Sequence, residues 1–308
     1  MREGGKLAAL VELARPLQWS KNGLLFAGYI FAGRLKMPMP SALIELVGVI
    51  LAFASFCMLS SFAYAINDLK DRERDLHHPL KRHRPLPSGR ITPREAAVFA
   101  ITCLLCGLIL SAFVSIVMRA PLFPLASISY PIWALLYSML LKDIVIIDVL
   151  AVAAGFMLRV VAGCLAIGVS ISPWLLLCTL LLSLFIALCK RRHELLMLGD
   201  RAQSFRNVLP KYSPAMLDQM IAATAAATIM AYSLYTFTAP HILLGNSDSP
   251  LLMLTIPYVI YGMFRYMYLA YSTDIAGAPE RMLQDLPLVL TVFLWILTIV
   301  VLGFISGK

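Results

Sequence analysis

The chain has 308 residues, of which 60% are hydrophobic and only 14% charged, and it carries a net charge of +9. With a mean hydropathy of +0.82, this composition excludes a soluble enzyme and leaves no polar domain to engage nucleic acid. The positive charge therefore points to anionic lipid or phosphorylated substrates.

Residues 7–20 are amphipathic and too polar for the apolar core of a cleavable signal peptide, so the expectation is a helix in the membrane interface. They run into Arg15-Pro-Leu-Gln-Trp-Ser-Lys21-Asn22. Trp19 and Lys21 suit interface anchors. Asn22 opens an apolar stretch, where an amide needs another reason, and Lys21 and Asn22 become candidate substrate contacts. Apolar stretches follow at 22–33, 41–66, 95–118, 122–141, 144–168, 171–189, 214–239, 250–272 and 286–305. Most reach the roughly 20 residues of a spanning helix. The expected fold is all-α integral membrane with nine spans, or eight if the short first stretch does not cross.

Between the second and third stretches lies NDLKDRERDLHHPLKRHRPLPSG, residues 67–89. On a helix Asp68, Asp71 and Asp75 fall within about 60° of one another over two turns, next to Asn67. Carboxylates so placed repel one another unless a cation sits among them. Mg²⁺ is the candidate, being a hard ion that shares oxygen ligands with substrate phosphates. Pro79, Pro85 and Pro87 break the helix and make the basic tail an ordered loop. Lys81 and Arg84 offer charge and a bidentate fork to phosphate, and Ser88-Gly89 can present backbone N–H groups to an anion. His77, His78 and His83 read as loop caps rather than zinc ligands.

Further along, Tyr137 and Lys142-Asp143 mark a turn between two spans. Asp148 lies a turn inside the next helix and Arg159 three turns on. About 16 Å of helical rise separates Asp148 from Arg159, too far for a pair, so each is expected to face a polar cavity. The sixth stretch closes on Lys190-Arg191-Arg192-His193-Glu194. The cations suit a helix C-terminus, whereas Glu194 calls for a metal or a sugar hydroxyl. Arg265 interrupts the run MFRYMYL. The cysteines Cys57, Cys103, Cys106, Cys164, Cys178 and Cys189 all lie in apolar stretches and read as small buried hydrophobes.

With an odd number of spans, one face collects 21 of the 26 Lys and Arg residues. The positive-inside rule makes that face cytoplasmic. One integral helical domain, residues 1–308, is the economical organisation. The spans leave open whether the chain forms a homo-oligomer.

These motifs together resemble the UbiA superfamily of intramembrane prenyltransferases. Within it they are most similar to the decaprenyl-phosphate phosphoribosyltransferase family, through Arg15 to Asn22, Asn67 to Gly89, Tyr137 to Lys142, Leu158 to Gly163 and Lys190 to Leu195. The resemblance implies a helical bundle in the inner membrane, around a central cavity open to the cytoplasmic face. It implies Mg²⁺ held by Asn67, Asp68, Asp71 and Asp75, with phosphoribosyl diphosphate and a polyprenyl phosphate as substrates. Catalytic roles would fall to Asp68, Asp71, Asp75 and Lys142. Substrate contacts would fall to Lys21, Asn22, Asn67, Lys81, Arg84, Ser88, Tyr137, Arg159, Lys190, Arg191, Glu194 and Arg265. A second DxxxD motif, used by aromatic prenyltransferases of the superfamily, is replaced here by KRRHELLMLGD. That replacement counts against a prenyl diphosphate donor with an aromatic acceptor. A transporter of phosphorylated metabolites is the non-enzymatic alternative, against which stands the gathering of polar residues at one face.

Overall fold

The computed structural model describes residues 5–32, 34, 38–76, 81–199, 207–238, 251–273, 277, 282 and 284–305. His77, His78, Pro79, Asp200, Arg206 and Glu280 lie outside these. Every regular element among the described residues is helical. They are α1 (Lys6–Ala14), a 3-10 segment (Pro16–Phe26), α2 (Ala27–Phe31), α3 (Met39–Lys70), α4 (Arg72–Leu76) and α5 (Pro93–Val117). There follow α6 (Phe123–Met139), α7 (Ile147–Ala166), α8 (Pro173–Leu198), α9 (Pro214–Thr238), α10 (Ile256–Ser272) and α11 (Leu286–Ile305). Seven helices among the described residues are long and apolar enough to cross a membrane, and the chain is a multi-pass membrane protein.

Nine full spans are therefore not what the described residues show. The first apolar stretch is divided between the 3-10 segment and the five-residue α2. The stretch expected at 250–272 begins as a 3-10 turn, Leu251–Thr255, leaving α10 only 17 residues. Pro16 fixes φ at the head of the first segment and Pro257 sits in the first turn of α10, where a missing N–H costs nothing.

The chain divides into two compact units. Unit 1 comprises residues 1–27, 45–142 and 158–168; unit 2 comprises 28–44, 143–157 and 169–308. In unit 1, α1 buries Ala9 and Leu13 against Phe62, Ala65, Leu86, Ile91, Ala96 and Ala100. Its opposite side exposes Leu7 and Val11. Lys6 pairs with Glu95 at 2.7 Å and Glu12 with Arg90 at 2.7 Å, while Thr92 and Glu95 form a capping box at the start of α5. α1 is thus clipped to α5 as well as lying amphipathically. In unit 2, Phe185, Leu188, Leu217, Ile221, Tyr266 and Leu269 pack α8, α9 and α10 together. A second apolar cluster there joins Tyr232, Tyr235, Leu252, Ile299 and Leu302.

Candidate active site

The carboxylates stand on a helix that continues through a local irregularity. α3 ends at Lys70 and α4 begins at Arg72, yet Asp71 N–H donates to Asn67 O at 2.9 Å and Asp75 N–H to Asp71 O at 2.8 Å. This i→i−4 bonding carries the helical phase past Asp71 and keeps the three aspartates on neighbouring turns.

Each aspartate is met by a cation from elsewhere in unit 1. Arg15 and Arg84 both donate to Asp68 Oδ1, Arg84 at 3.2 Å. Arg84 also reaches Asp75 Oδ2 at 2.8 Å, and Lys81 lies 3.6 Å from Asp75 Oδ1. Lys142 Nζ straddles both oxygens of Asp71, at 3.1 and 3.3 Å. Lys70 donates to Ser138 O at 2.6 Å, and the Ser138 hydroxyl donates to Asn67 Oδ1 at 2.9 Å. Five cations (Arg15, Lys70, Lys81, Arg84, Lys142) thus stand with three carboxylates (Asp68, Asp71, Asp75). The surplus of two positive charges favours an anion. Burial, and next the neighbouring Arg15, pull the pKa of Arg84 below its ordinary value, a sign that positive charge is crowded here.

Among the described residues, no three His, Cys, Asp or Glu side chains group closely enough to hold a metal by themselves. Asn67, Asp68, Asp71 and Asp75 are held by hydrogen bonds and ion pairs to neighbouring groups. The donor set still suits Mg²⁺, which takes one or two carboxylates and completes its shell with water and substrate phosphate. Asp68 is 1% and Asp71 17% exposed at the side chain, and cations already balance both.

The basic loop differs from expectation in one respect. Ser88 N–H donates to Arg84 O and Gly89 N–H to Leu86 O, so these amides close the turn instead of facing an anion. Gly89 sits at φ +76°, where glycine avoids the steric cost of a side chain. The Ser88 hydroxyl donates to Arg84 O at 2.6 Å. Pro85, Leu86 and Pro87 are buried, and the loop is ordered over its described residues. His83 accepts from Arg82 at 3.2 Å.

Asn22 and Arg159 also come together in unit 1. Asn22 is fully buried; its Nδ2 reaches Ser60 Oγ at 3.2 Å and its Oδ1 accepts from Arg159 Nε at 2.8 Å. Arg159 also donates to Tyr130 OH at 2.6 Å and lies 4.6 Å from that ring's centroid. Arg159 is thus held by an amide and a phenol from two other elements. One turn further along α7, Gly163 lies against the backbone of Leu25, where a Cβ would come 2.0 Å from the carbonyl oxygen. The segment Leu158 to Gly163 and the segment Lys21-Asn22 are thus two halves of one helix contact. Lys21 and Tyr137 are partly buried and belong to the same unit.

Unit 2 holds a second charged network. Asp148 is wholly buried and receives Arg191 Nε at 2.6 Å and Tyr212 OH at 2.7 Å. Arg191, 4% exposed, gives its Nη1 to Glu194 at 2.7 Å. These two carboxylates balance Arg191, and Asp148 is met by protein groups from two directions. Lys190 lies 4.0 Å from Glu194. Arg192, read as a helix-end charge, donates to Asp218 and stacks 3.8 Å from the Tyr271 ring centroid, while Tyr271 OH donates to Asp218 at 2.6 Å. Arg265 forks onto Asp285 at 2.8 and 3.2 Å.

Three residues escaped the sequence reading. Arg15 opens a quoted motif, but its target is 53 positions away. Asp143, read as a loop charge, buries Oδ1 without a hydrogen-bond partner among the described residues. Tyr212 accepts the N–H of Ile146 at 2.7 Å while donating to Asp148. Burial first, then its bond to Asp148, pushes this phenol's pKa up. Ile146 is a β-branched residue at φ +69°, a conformation costing about 1–3 kcal/mol that its surroundings must impose. Replacing Tyr212 with Phe is expected to destabilise the protein by about 1–3 kcal/mol, read as a lower thermal unfolding midpoint in detergent. An unchanged midpoint would remove Tyr212 from this role.

The model of the UbiA prenyltransferase family matches residues 24–297. The chain belongs to the UbiA prenyltransferase family. Curated relatives include decaprenyl-phosphate phosphoribosyltransferase of Corynebacterium glutamicum, 30% identical over 96% of this chain and 87% of that protein. The enzyme of the same name from Mycolicibacterium smegmatis is 31% identical over 95% of this chain and 92% of its own length. Among solved structures, a UbiA homologue from Archaeoglobus fulgidus bound to GPP and Mg²⁺ aligns with a TM-score of 0.68. It covers 97% of this chain and 99% of the homologue at 19% identity, a likeness of fold alone.

Proposed function

We propose that this UbiA-family protein transfers 5-phosphoribose from phosphoribosyl diphosphate to a polyprenyl phosphate, releasing diphosphate. The observation that carries the reading is similarity over nearly the whole chain to phosphoribosyltransferases of that substrate class. The cation surplus around Asp68, Asp71 and Asp75 supports it. So does the replacement, by KRRHELLMLGD, of the second acidic motif that aromatic prenyltransferases of the superfamily carry. The reading takes residues 1–308 as one functional domain in the inner membrane, with the aspartates at the cytoplasmic side.

Asp68 and Asp71 would hold Mg²⁺, with Asn67 and Asp75 supporting them. When bound, the ion supplies charge neutralisation that makes diphosphate a better leaving group. Arg15, Lys81 and Arg84 bind diphosphate oxygens as the leaving group develops charge. Lys142, seated on Asp71, fixes that carboxylate's orientation and offers a cation to the acceptor phosphate. A lipid phosphate oxygen attacks ribose C1, forming a C1–O bond as the bond to diphosphate breaks and its electron pair departs. The acceptor oxygen is already anionic, so no strong general base is required, and attack opposite the leaving group inverts C1. Lys21, Ser88 and Tyr137 remain candidate contacts near the headgroups, as do Lys190, Glu194 and Arg265. Asn22 and Arg159 act as scaffold.

The second reading, prenyl transfer from a prenyl diphosphate, draws support from the prenyltransferase family to which the chain belongs. A donor test separates the two. Purified protein receives Mg²⁺, a polyprenyl phosphate and phosphoribosyl diphosphate, or a prenyl diphosphate with an aromatic acceptor, and products are read by mass spectrometry. A lipid heavier by one phosphoribosyl unit is expected. A prenylated aromatic would transfer the reading to the second reaction, and no product from folded protein would return it to a transporter.

A further inference from the structure

Asp68 Oδ1 accepts from two guanidinium groups, those of Arg15 and Arg84. Their grips differ. Arg84 is tied to Asp75 as well, with Lys81 beside that carboxylate, and belongs to a loop whose Pro85, Leu86 and Pro87 are buried. The side chain of Arg15 is 24% exposed. Its other contact, 5.2 Å from the Tyr64 ring centroid, is a cation–π interaction with broad directionality.

The backbone around Arg15 is pinned on both sides. Ser61 Oγ donates to Ala14 O at 3.1 Å and accepts from Trp19 Nε1 at 3.1 Å. Arg15 itself occupies the left-handed region at φ +54°, where its N–H caps Glu12 O. Movement of this residue is therefore rotation of its side chain, with α1 left in place.

We propose that Arg15 is a displaceable counter-ion: it holds Asp68 until a diphosphate arrives, then shifts to the phosphate oxygens and releases the carboxylate to a divalent cation. This rests on the reading above that Asp68 serves a metal–diphosphate site. Two guanidinium groups on one carboxylate oxygen repel each other, and a multiply charged diphosphate relieves that repulsion while offering bidentate acceptors. A divalent cation arriving alone meets a region already carrying surplus positive charge and must expel Arg15 into water. Metal and diphosphate therefore bind together, and each tightens the other by the same factor. The exchange also keeps Asp68 balanced at every stage, which a buried carboxylate needs.

Mn²⁺ binding to purified protein, followed by loss of the free-ion EPR signal, tests this without turnover. Titrations are run with and without inorganic diphosphate and corrected by a protein-free titration at the same diphosphate concentration. Wild-type protein is expected to bind Mn²⁺ at least about tenfold more tightly with diphosphate present. Arg15→Gln is expected to bind Mn²⁺ alone about tenfold more tightly than wild type, and its dependence on diphosphate should shrink. Arg15→Lys keeps the charge, so its affinity for Mn²⁺ alone should stay within about threefold of wild type, which separates a charge effect from a disturbed fold. Wild-type protein that binds Mn²⁺ equally well without diphosphate, or an Arg15→Gln variant with unchanged affinity, overturns the counter-ion role. If wild type binds no Mn²⁺ in either condition, the metal–diphosphate reading itself fails and this inference falls with it.

Discussion

Asp71→Asn is expected to lower phosphoribosyl transfer by about a thousandfold, the scale for losing a pre-placed charge at a reacting centre. Of the three aspartates, Asp71 is the most exposed and is held by a single lysine, whereas Asp68 and Asp75 are buried against arginines. It is thus the carboxylate most readily offered to a metal. Asparagine keeps the shape and leaves an acceptor for Lys142, so the cost in stability should be only about 1–3 kcal/mol. The pair of measurements is decisive: initial rates with saturating donor, and the thermal unfolding midpoint in detergent. A folded variant retaining a tenth or more of the wild-type rate would show that Asp71 does not serve the chemistry. Excess Mg²⁺ should not rescue the variant, because the missing element is a negative ligand rather than metal occupancy.

Gly163→Ala is the substitution expected to damage the scaffold most. The added Cβ would fall 2.0 Å from Leu25 O and 2.7 Å from both Leu25 C and Cα. All three are backbone atoms, so no side chain can rotate away, and the helix contact must separate. The cost is about 3 kcal/mol or more, at the upper end for overpacking, and the Asn22–Arg159 hydrogen bond one turn away should weaken with it. Gly107→Ala offers a graded comparison, since its nearest obstacle is the flexible Leu59 side chain at 2.8 Å. Gly23→Ala meets nothing within 4 Å and should be neutral within about 0.5 kcal/mol. Thermal unfolding of the three variants in one detergent gives the order; a Gly163→Ala midpoint equal to that of Gly23→Ala would contradict the contact.

What could be read from the sequence follows from how local each signal is. The spans and the shared phase of Asp68, Asp71 and Asp75 depend on spacings of three and four residues. The structure keeps that phase even where α3 gives way to α4. The family resemblance was equally legible, because its motifs recur at separated points along the chain. Partners were harder to read. Arg15 meets Asp68 across 53 positions, Lys142 meets Asp71 across 71 and Arg159 meets Asn22 across 137. No periodicity encodes such pairings. Arg191 and Asp148 illustrate the consequence: one reads as a helix-end cation and the other as a charge facing a cavity, and the two meet each other across 43 positions. The number of spans is harder to read for another reason. Hydropathy does not distinguish a 3-10 segment from an α-helix, and both altered stretches, 16–26 and 251–255, are apolar throughout much of their length.

The clipping of α1 to α5 has a bearing on how the chain is made. Glu95 is synthesised 89 residues after Lys6, and Arg90 78 residues after Glu12. At the usual pace of translation that is a delay of roughly 4–18 s. Until Phe62 and Ala65 of α3 are made, part-way through it, the first helix has no partner on which to bury Ala9 and Leu13. Its outward Leu7 and Val11 would suit a place at a membrane surface until the hairpin of α3 and α5 is inserted. The N-terminal segment is therefore the first part of unit 1 to emerge and among the last to dock. Assembly of the aspartate cluster, which needs Arg15, is held back until the membrane-embedded hairpin exists to receive it.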